Sequence, residues 1–480
     1  MRASRLPRWT RLATLGLGLA IWGCTSLTGS VAPNLPPETT LWVTGSLDTV
    51  AHRQRFFWDG QDPDGTVRGF EFRWIYEAGA EPAGHDSTIW HFTPERDSLF
   101  VVYVPSGAEF PTLTVRAVDD QGAVDPTPAR QRYAFKNDAP VVDLIGAPAD
   151  TTFPVATLTW LASDPDGNIA NASYRIWLAG KEANAQTVTG LTHTLVPDDF
   201  RDGSGVIQPG PYTAFVTAID DGGRMSLPDS FVWHVRLPVG NVLLVDDVPS
   251  GVSGSAVYDG FYRMELDSRL GAGNYTIIDI QNGSPFRSKA DVRETFLFFD
   301  HVFWYSEVNT VISTNGLALI EEAIPAHLAG GKNLFLTSGR LVGTGGVLGS
   351  SFADDVLGVS AFHQNLKFAP PTTNFSIGNG RYLVGGSAPF DSLRSAGLFG
   401  DIEAFVLENP GDAAYLATSG ALDTLNAEPW PVGISRRYGA GQGRLVFLPF
   451  PLRLMNAPFG TGLPGRAALE LSKVFTLFGI

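Results

Sequence analysis

The chain has 480 residues, 44% of them hydrophobic and 17% charged, which bounds it to roughly three or four domains of about 150 residues with real cores. A formal net charge of −15 excludes a general affinity for nucleic acid, because phosphate repels an acidic surface. The single cysteine excludes an intrachain disulfide framework, and 53 Gly, 33 Pro and 31 Phe favour a turn-rich β protein over a helical bundle. At the start, MRASRLPRWTR carries four Arg and no acid, and an apolar run follows to residue 23. That run is shorter than the ~20 residues a membrane span needs and fits a signal-peptide core, so residues 1–23 are read as a signal peptide.

The next residue is the lone cysteine. Ile21-Trp22-Gly23-Cys24 resembles the lipobox of bacterial lipoproteins, which implies cleavage before Cys24 and lipidation of that residue. The plain alternative is cleavage elsewhere, with Cys24 a passenger. Residues 24–36 are small, polar and Pro-containing, and read as a tether. The expected address is the cell envelope of an exporting cell, as an outer-membrane-anchored or cell-surface lipoprotein with the membrane as its partner.

Two segments then run in parallel. WDGQDPDG from Trp58 returns as WLASDPDG from Trp160, and TLTVRAVDD returns as YTAFVTAIDD. Trp58 and Trp160 stand 102 positions apart, and Asp119 and Asp220 stand 101 apart, which marks a tandem duplication of about 100 residues. Phe70, Phe72 and Trp74 alternate with Glu71 and Arg73, the period of a half-buried strand. Asp-Pro-Asp-Gly supplies turn chemistry between strands. Both segments look like fibronectin type III or immunoglobulin-like modules of bacterial surface proteins, which implies all-β sandwiches over residues 37–137 and 138–237. Trp58 and Trp160 are expected in their cores, each serving its own sandwich, with residues 240–480 independent of both.

The same turns admit a second reading. Asp62, Asp64, Asp119 and Asp120 gather carboxylates in the first copy, and Asp164, Asp166, Asp220 and Asp221 in the second. Calcium takes six to eight oxygens from several turns. The linker Asn137-Asp138-Ala139-Pro140 is faintly similar to the calcium-binding linker of cadherins. The leading expectation is nonetheless plain turns, with no cofactor.

After Pro238 the pattern changes to strand, helix, strand, helix with wholly apolar strands: GNVLLVDD, a helix over 258–270, YTIIDI, a helical stretch at 292–299, HVFWY, a helix over 317–328 and KNLFLTSG. This predicts an α/β domain with a parallel, flavodoxin-like sheet. LLVDD, FWYSE, GGKNLFLTSG and the late GQGRLVFLPFPL resemble the class I glutamine amidotransferase-like fold over residues 240–480. The resemblance implies an elbow of the form Gly-x-Cys-x-Gly and a late His-x-Glu. Here the elbow reads Leu336-Thr337-Ser338-Gly339-Arg340, and the last histidine is His363, so amidotransfer is excluded by residue chemistry. Ser338 with His363 is the one candidate nucleophile and base, against a plain turn serine. Asp246, Asp247 and Arg340 are candidate ligand-binding residues at the strand ends. The Gly-rich stretch LVGTGGVLG, residues 341–349, is read as a flexible loop. No paired His spacing marks a transition-metal site.

The whole reads as a lipid-anchored envelope protein in which two sandwich spacers present a noncatalytic α/β domain that binds a protein or glycan partner or serves structurally. The alternative is a surface hydrolase or carbohydrate-active enzyme using the cleft of that domain.

Overall fold

The computed structural model describes residues 33–44, 50–78, 81–249, 255–281, 285–306, 314–339, 341–343, 346–368, 382–393, 399–418, 430–439, 442–456 and 466–480. Among these, two compact units separate. The first holds residues 33–44, 55–78, 81–100 and 110–134. The second holds residues 50–54, 101–109 and everything described from 135 onward.

The first unit is a sandwich of two antiparallel sheets. One orders Glu38–Val43, Arg53–Gln61 and Asp97–Val101; the other orders His91–Thr93, Val67–Ile75, Thr112–Asp119 and Ala129–Arg132. Alternation puts Phe56 and Trp58 inward from one sheet and Phe70, Phe72 and Trp74 from the other. Trp58 is fully buried, with its ring about 6 Å from those of Phe70, Phe72 and Phe100. Its indole N–H donates to the Glu95 carbonyl at 2.8 Å, so burial leaves no orphaned donor there. Asp-Pro-Asp-Gly spans the turn from Gln61 to Val67, as the sequence requires.

The second repeat repeats that plan inside the second unit. Val141–Gly146, Ala156–Ser163 and Thr192–Leu195 form one sheet; Thr151–Thr152, Asp229–Val235, Gly210–Ile219, Ser173–Leu178 and Gln186–Val188 form the other, in that order. Trp160 is fully buried beside Tyr174, with centroids 5.3 Å apart, among Leu158, Val216 and Trp233. A small sheet joins Val50–Ala51, Phe135–Lys136 and Ala108–Glu109 to this unit.

From residue 242 the chain builds a six-stranded sheet. Its order is Thr276–Asp279, Val242–Asp246, His301–Ser306, Asn333–Ser338, Arg444–Leu448 and Ile434–Arg437. Five strands are parallel and the last is antiparallel. Helices Lys289–Phe296 and Thr314–Ala329 cover one face, packed on Leu243, Val245, Trp304 and Leu336. Helices Ser255–Leu270 and Ala467–Phe478 cover the other, packed on Leu244, Phe303, Tyr305 and Phe335. Burial on both faces explains why the middles of these strands are continuous apolar runs, such as 242–245 and 302–305, rather than alternating patterns.

The expected independence of residues 240–480 does not hold for the second repeat. Phe153 is part of the core beneath helix Lys289–Phe296, 6.0 Å from Phe299. Thr157, three residues before Trp160, bonds Asp291 at 2.6 Å and Ser288 at 2.7 Å. Ser288 and Asp291 are the capping box of that helix. Arg236 lies over Phe153 and donates to the Ile277 carbonyl. A shared core and a shared helix cap make one folding unit of two sequence modules.

Candidate functional site

The first parallel strand pairs with the second on one side and the third on the other, so the sheet reverses its winding at Val242–Asp246. Ligands of open α/β sheets collect outside the strand ends at such a switch point. The register brings Asp279, Asp246 and Tyr305 into one row, with Thr337 next, and sets Ser306 opposite Ser338. The candidates Asp246, Asp247 and Ser338 therefore converge at one end of the sheet. Arg340 lies outside the described residues, as does Cys24.

Asp246 is 3% exposed and accepts the Val248 N–H at 3.1 Å. Burial pushes its carboxyl up to about 7, assisted by the charge of Asp259 and opposed by hydrogen bonds from Tyr305 and the Val248 backbone. Tyr305, itself buried, donates to Asp259 at 3.1 Å. Two carboxyls and a phenol thus share one desolvated niche, and burial with the two acids beside it holds the Tyr305 phenol protonated. Asp247 points to the other face. It is 1% exposed and accepts from the Trp304 indole at 3.1 Å and from the Gln281 amide. Burial raises it to about 6 against those two donors. Neither acid merely caps the following segment.

Ser338 closes its strand, 1% exposed, and its hydroxyl donates to the Gly339 carbonyl at 3.3 Å. His363 lies on the strand Val359–Phe368, with its ring stacked 3.5 Å from that of Trp430. No hydrogen bond joins Ser338 to His363 among the described residues, so the pair lacks the contact by which a base activates a hydroxyl. The described residues of the Gly-rich stretch, 341–343 and 346–349, depart from the flexible-loop expectation. Leu341, Val342 and Val347 are buried, and the Glu403 carboxylate receives the N–H groups of Val342 at 2.8 Å and Gly343 at 2.5 Å. A Cβ at Gly343 would sit 2.7 Å from that carboxylate, which accounts for glycine there.

Sequence reasoning missed Asp259, Tyr305, Gln281 and Glu403. The first two carry a weak signal: an acid on the helix after the first strand, and a hydroxyl in an otherwise apolar strand. The pairing of Glu403 with a loop some 60 residues earlier leaves no local pattern.

The eight turn carboxylates fall into two sets of four. Asp119 is fully buried and holds the Gln121 and Ala123 N–H groups; Asp220 is 5% exposed and holds that of Arg224. Asp62 and Asp164 each receive the N–H of the acid two residues on, Asp64 and Asp166. Asp120 lies near the first of these turns; Asp221 is bonded by His52 at 2.7 Å and Arg53 at 3.1 Å.

No family model matches the chain, and no curated protein matches it. Among solved structures it is similar to fibronectin(III)-like modules of Clostridium thermocellum CbhA, at 17% identity over 42% of this chain and 95% of that one, with a TM-score of 0.18. It is similar to the PKD1 domain of Vibrio anguillarum Epp, at 20% identity over 22% and 100%, with a TM-score of 0.15. A ThuA-like protein from Bacteroides uniformis matches at 10% identity over 49% and 91%, with a TM-score of 0.30.

Proposed function

We propose that the protein is a lipid-anchored component of the cell envelope, in which two β-sandwich repeats carry an α/β domain that binds a partner without performing chemistry at its elbow. The observation that carries this is the state of Ser338: buried, bonded to its neighbour's carbonyl, and separate from a His363 that stacks on Trp430. A hydroxyl without a base stays protonated at neutral pH and is a poor nucleophile. The anchor is tested by Cys24→Ala, which should move the protein from membranes to soluble fractions, since acyl chains contribute ~0.8 kcal/mol per buried CH₂. Unchanged membrane partition in that variant would refute the anchor. The silent elbow is tested by Ser338→Ala, which should leave partner capture and any cellular phenotype intact.

A second reading, hydrolysis in the strand-end cleft, draws on one observation. Asp246, with its carboxyl raised to about 7 by burial, has the proton affinity of a general acid or base near neutral pH. Turnover of any ester or glycoside that vanishes in Asp246→Asn but survives in Ser338→Ala would replace the binding reading with this one.

A further inference from the structure

The outer face of the four-stranded sheet in the first repeat gathers positive charge, in a chain with 49 Asp and Glu against 34 Lys and Arg. Phe70, Phe72 and Trp74 turn inward from Val67–Ile75, so Glu71 and Arg73 turn outward. Leu113, Val115 and Ala117 turn inward from Thr112–Asp119, which leaves Thr114 and Arg116 outward. The register sets Glu71 beside Arg116, Arg73 beside Thr114, and Thr114 beside Arg130. Phe92 pairs with Glu71 on the other side, and Arg68 lies over its ring. Four guanidinium groups thus share the face with the Glu71 carboxylate, and Arg132 pairs with Glu77 at its margin.

Neighbouring groups hold these cations in place. Arg73 and Arg116 both lie over Trp90, with guanidinium carbons 4.5 and 4.1 Å from its ring centroid. Arg116 donates to Glu71 at 2.8 Å, and Arg73 donates to the Ser87 carbonyl at 3.3 Å. Two planar guanidinium groups are therefore ordered before any ligand arrives, which lowers the entropy cost of binding one. Phe92 rests on Gly69, where a Cβ would fall 2.6 Å from the ring. The ring is nonetheless 49% exposed, so an aromatic surface stands beside the charges.

Some of the hydrogen-bonding capacity of the face is unused. Arg73 Nε and Thr114 Oγ1 are sealed from solvent and lack a hydrogen-bond partner among the described residues, and Thr114 is fully buried. The side chains of Arg68 and Arg130 are exposed and form no hydrogen bond or ion pair among the described residues. The sandwich does not need these cations for its fold. At the matching places of the second repeat Thr217 stands for Arg116, Phe215 for Thr114 and Ser230 for Arg130, and the sheet closes on the same plan. The first repeat therefore carries a cationic and aromatic face that its sister lacks.

We propose that this face of the first repeat binds an anionic polysaccharide. Guanidinium groups receive carboxylate or sulfate in a planar, bidentate fork, and Phe92 offers its ring to the apolar side of a sugar. Charge spaced at one per sugar unit suits cations set among an acid and an aromatic ring. Duplex nucleic acid carries one charge per ~1.7 Å, and the acidic remainder of the chain repels so dense a field. The same net charge opposes close approach to an anionic bilayer. The first repeat is then a binding module as well as a spacer, whatever the α/β domain does.

The test is biolayer interferometry of the full chain on immobilised polygalacturonate, with dextran as the neutral control. The chain should bind polygalacturonate and not dextran, with an affinity that falls as NaCl is raised. Arg68→Gln combined with Arg130→Gln should weaken binding about tenfold or more, the worth of lost charge-assisted hydrogen bonds. Neither side chain has a hydrogen bond to lose, so the variant should fold, which circular dichroism checks. Arg73→Lys keeps the charge but not the planar fork, and should still weaken binding severalfold. Arg437→Gln removes an exposed charge from the α/β domain and should leave binding unchanged. Absent binding, equal binding to dextran, or an affinity unchanged in the Arg68 and Arg130 variant would overturn the proposal. So would a loss as large in Arg437→Gln, or tighter binding to poly-L-glutamate or to phosphatidylglycerol vesicles.

Discussion

Position for position, the two repeats share the central tryptophan and the acidic turns and differ on their outer faces. Trp58 and Trp160 are both fully buried, and the acidic turns correspond acid for acid. Three residues before each Trp the copies diverge. Arg55 is half exposed and pairs with Asp97 on the surface, whereas Thr157 is 7% exposed and bonds the helix cap of the α/β domain. Most of one repeat forms a unit of its own; the other lies wholly in the unit of the α/β domain. The difference teaches that a duplicated sandwich acquires a new role through a few face residues, while its central tryptophan and acidic turns stay fixed.

The largest expected effect follows from that asymmetry. Trp58→Ala and Trp160→Ala should each destabilise by ~3–5 kcal/mol, the usual cost of truncating a large buried aromatic. In hydrogen exchange by mass spectrometry, Trp58→Ala should loosen the first unit alone. Trp160→Ala should also loosen helix Lys289–Phe296, because Thr157 on the same strand holds its cap. Protection of that helix unchanged in Trp160→Ala would dissolve the claim of one folding unit.

A second contrast concerns pH. The parallel sheet buries Asp246 and Asp247 with carboxyls raised to about 7 and about 6. A raised folded-state value means the native state binds protons that the unfolded chain has released, so stability falls as pH rises. The contribution is fully present below the ordinary value of 3.8 and is lost progressively up to about 7. The second unit should therefore lose stability progressively between pH 4 and 7.5, with both carboxyls contributing. Asp246→Asn should flatten much of that slope and raise stability at pH 7.5, read as the urea midpoint. An unchanged slope in the variant would place the titration elsewhere.

What could be read from the sequence follows the range of the interactions. Period-two alternation around Phe70 and the continuous apolar runs at 242–245 and 302–305 reported one-sided and two-sided burial, because each strand carries its own pattern. The Trp58–Trp160 repeat was legible because duplication leaves a fixed offset. The niche of Asp246, Asp259 and Tyr305 was not, since it joins a strand end, a helix and a neighbouring strand. Nor was the docking of Phe153, Thr157 and Arg236: a Thr in a strand gives no sign of whether its outer face meets water or a helix cap. The flexible-loop reading of LVGTGGVLG failed because Gly suggested freedom, while Glu403, supplying the order, stands far along the chain.

The docking residues give a smaller, sharper test. Thr157→Val removes the donor to Asp291 and keeps the side-chain shape, leaving a buried carboxyl with two backbone donors in place of three partners. The expected loss is roughly 1–3 kcal/mol, confined to the second unit. Arg55→Ala, at the matching position of the first repeat, removes an exposed ion pair worth roughly 0–1 kcal/mol. Equal losses at the two positions, measured by urea unfolding, would mean that the interface contributes nothing beyond surface chemistry.

The smallest effect separates the two tryptophans themselves. The Trp58 indole N–H donates to Glu95, whereas that of Trp160 is buried without a partner among the described residues. Replacement by Phe removes similar ring volume from both cores, so the cavity cost is common to both. At Trp58 it also deletes the hydrogen bond to the Glu95 carbonyl; at Trp160 it deletes an unsatisfied donor. Trp58→Phe should therefore be the more damaging by about 1–2 kcal/mol, the worth of a buried hydrogen bond relative to an orphaned group. Paired urea titrations resolve such a difference when the slopes agree. If Trp160→Phe proves equally costly, its N–H has a partner in solution, most simply a buried water, and the two cores are alike at their centres after all.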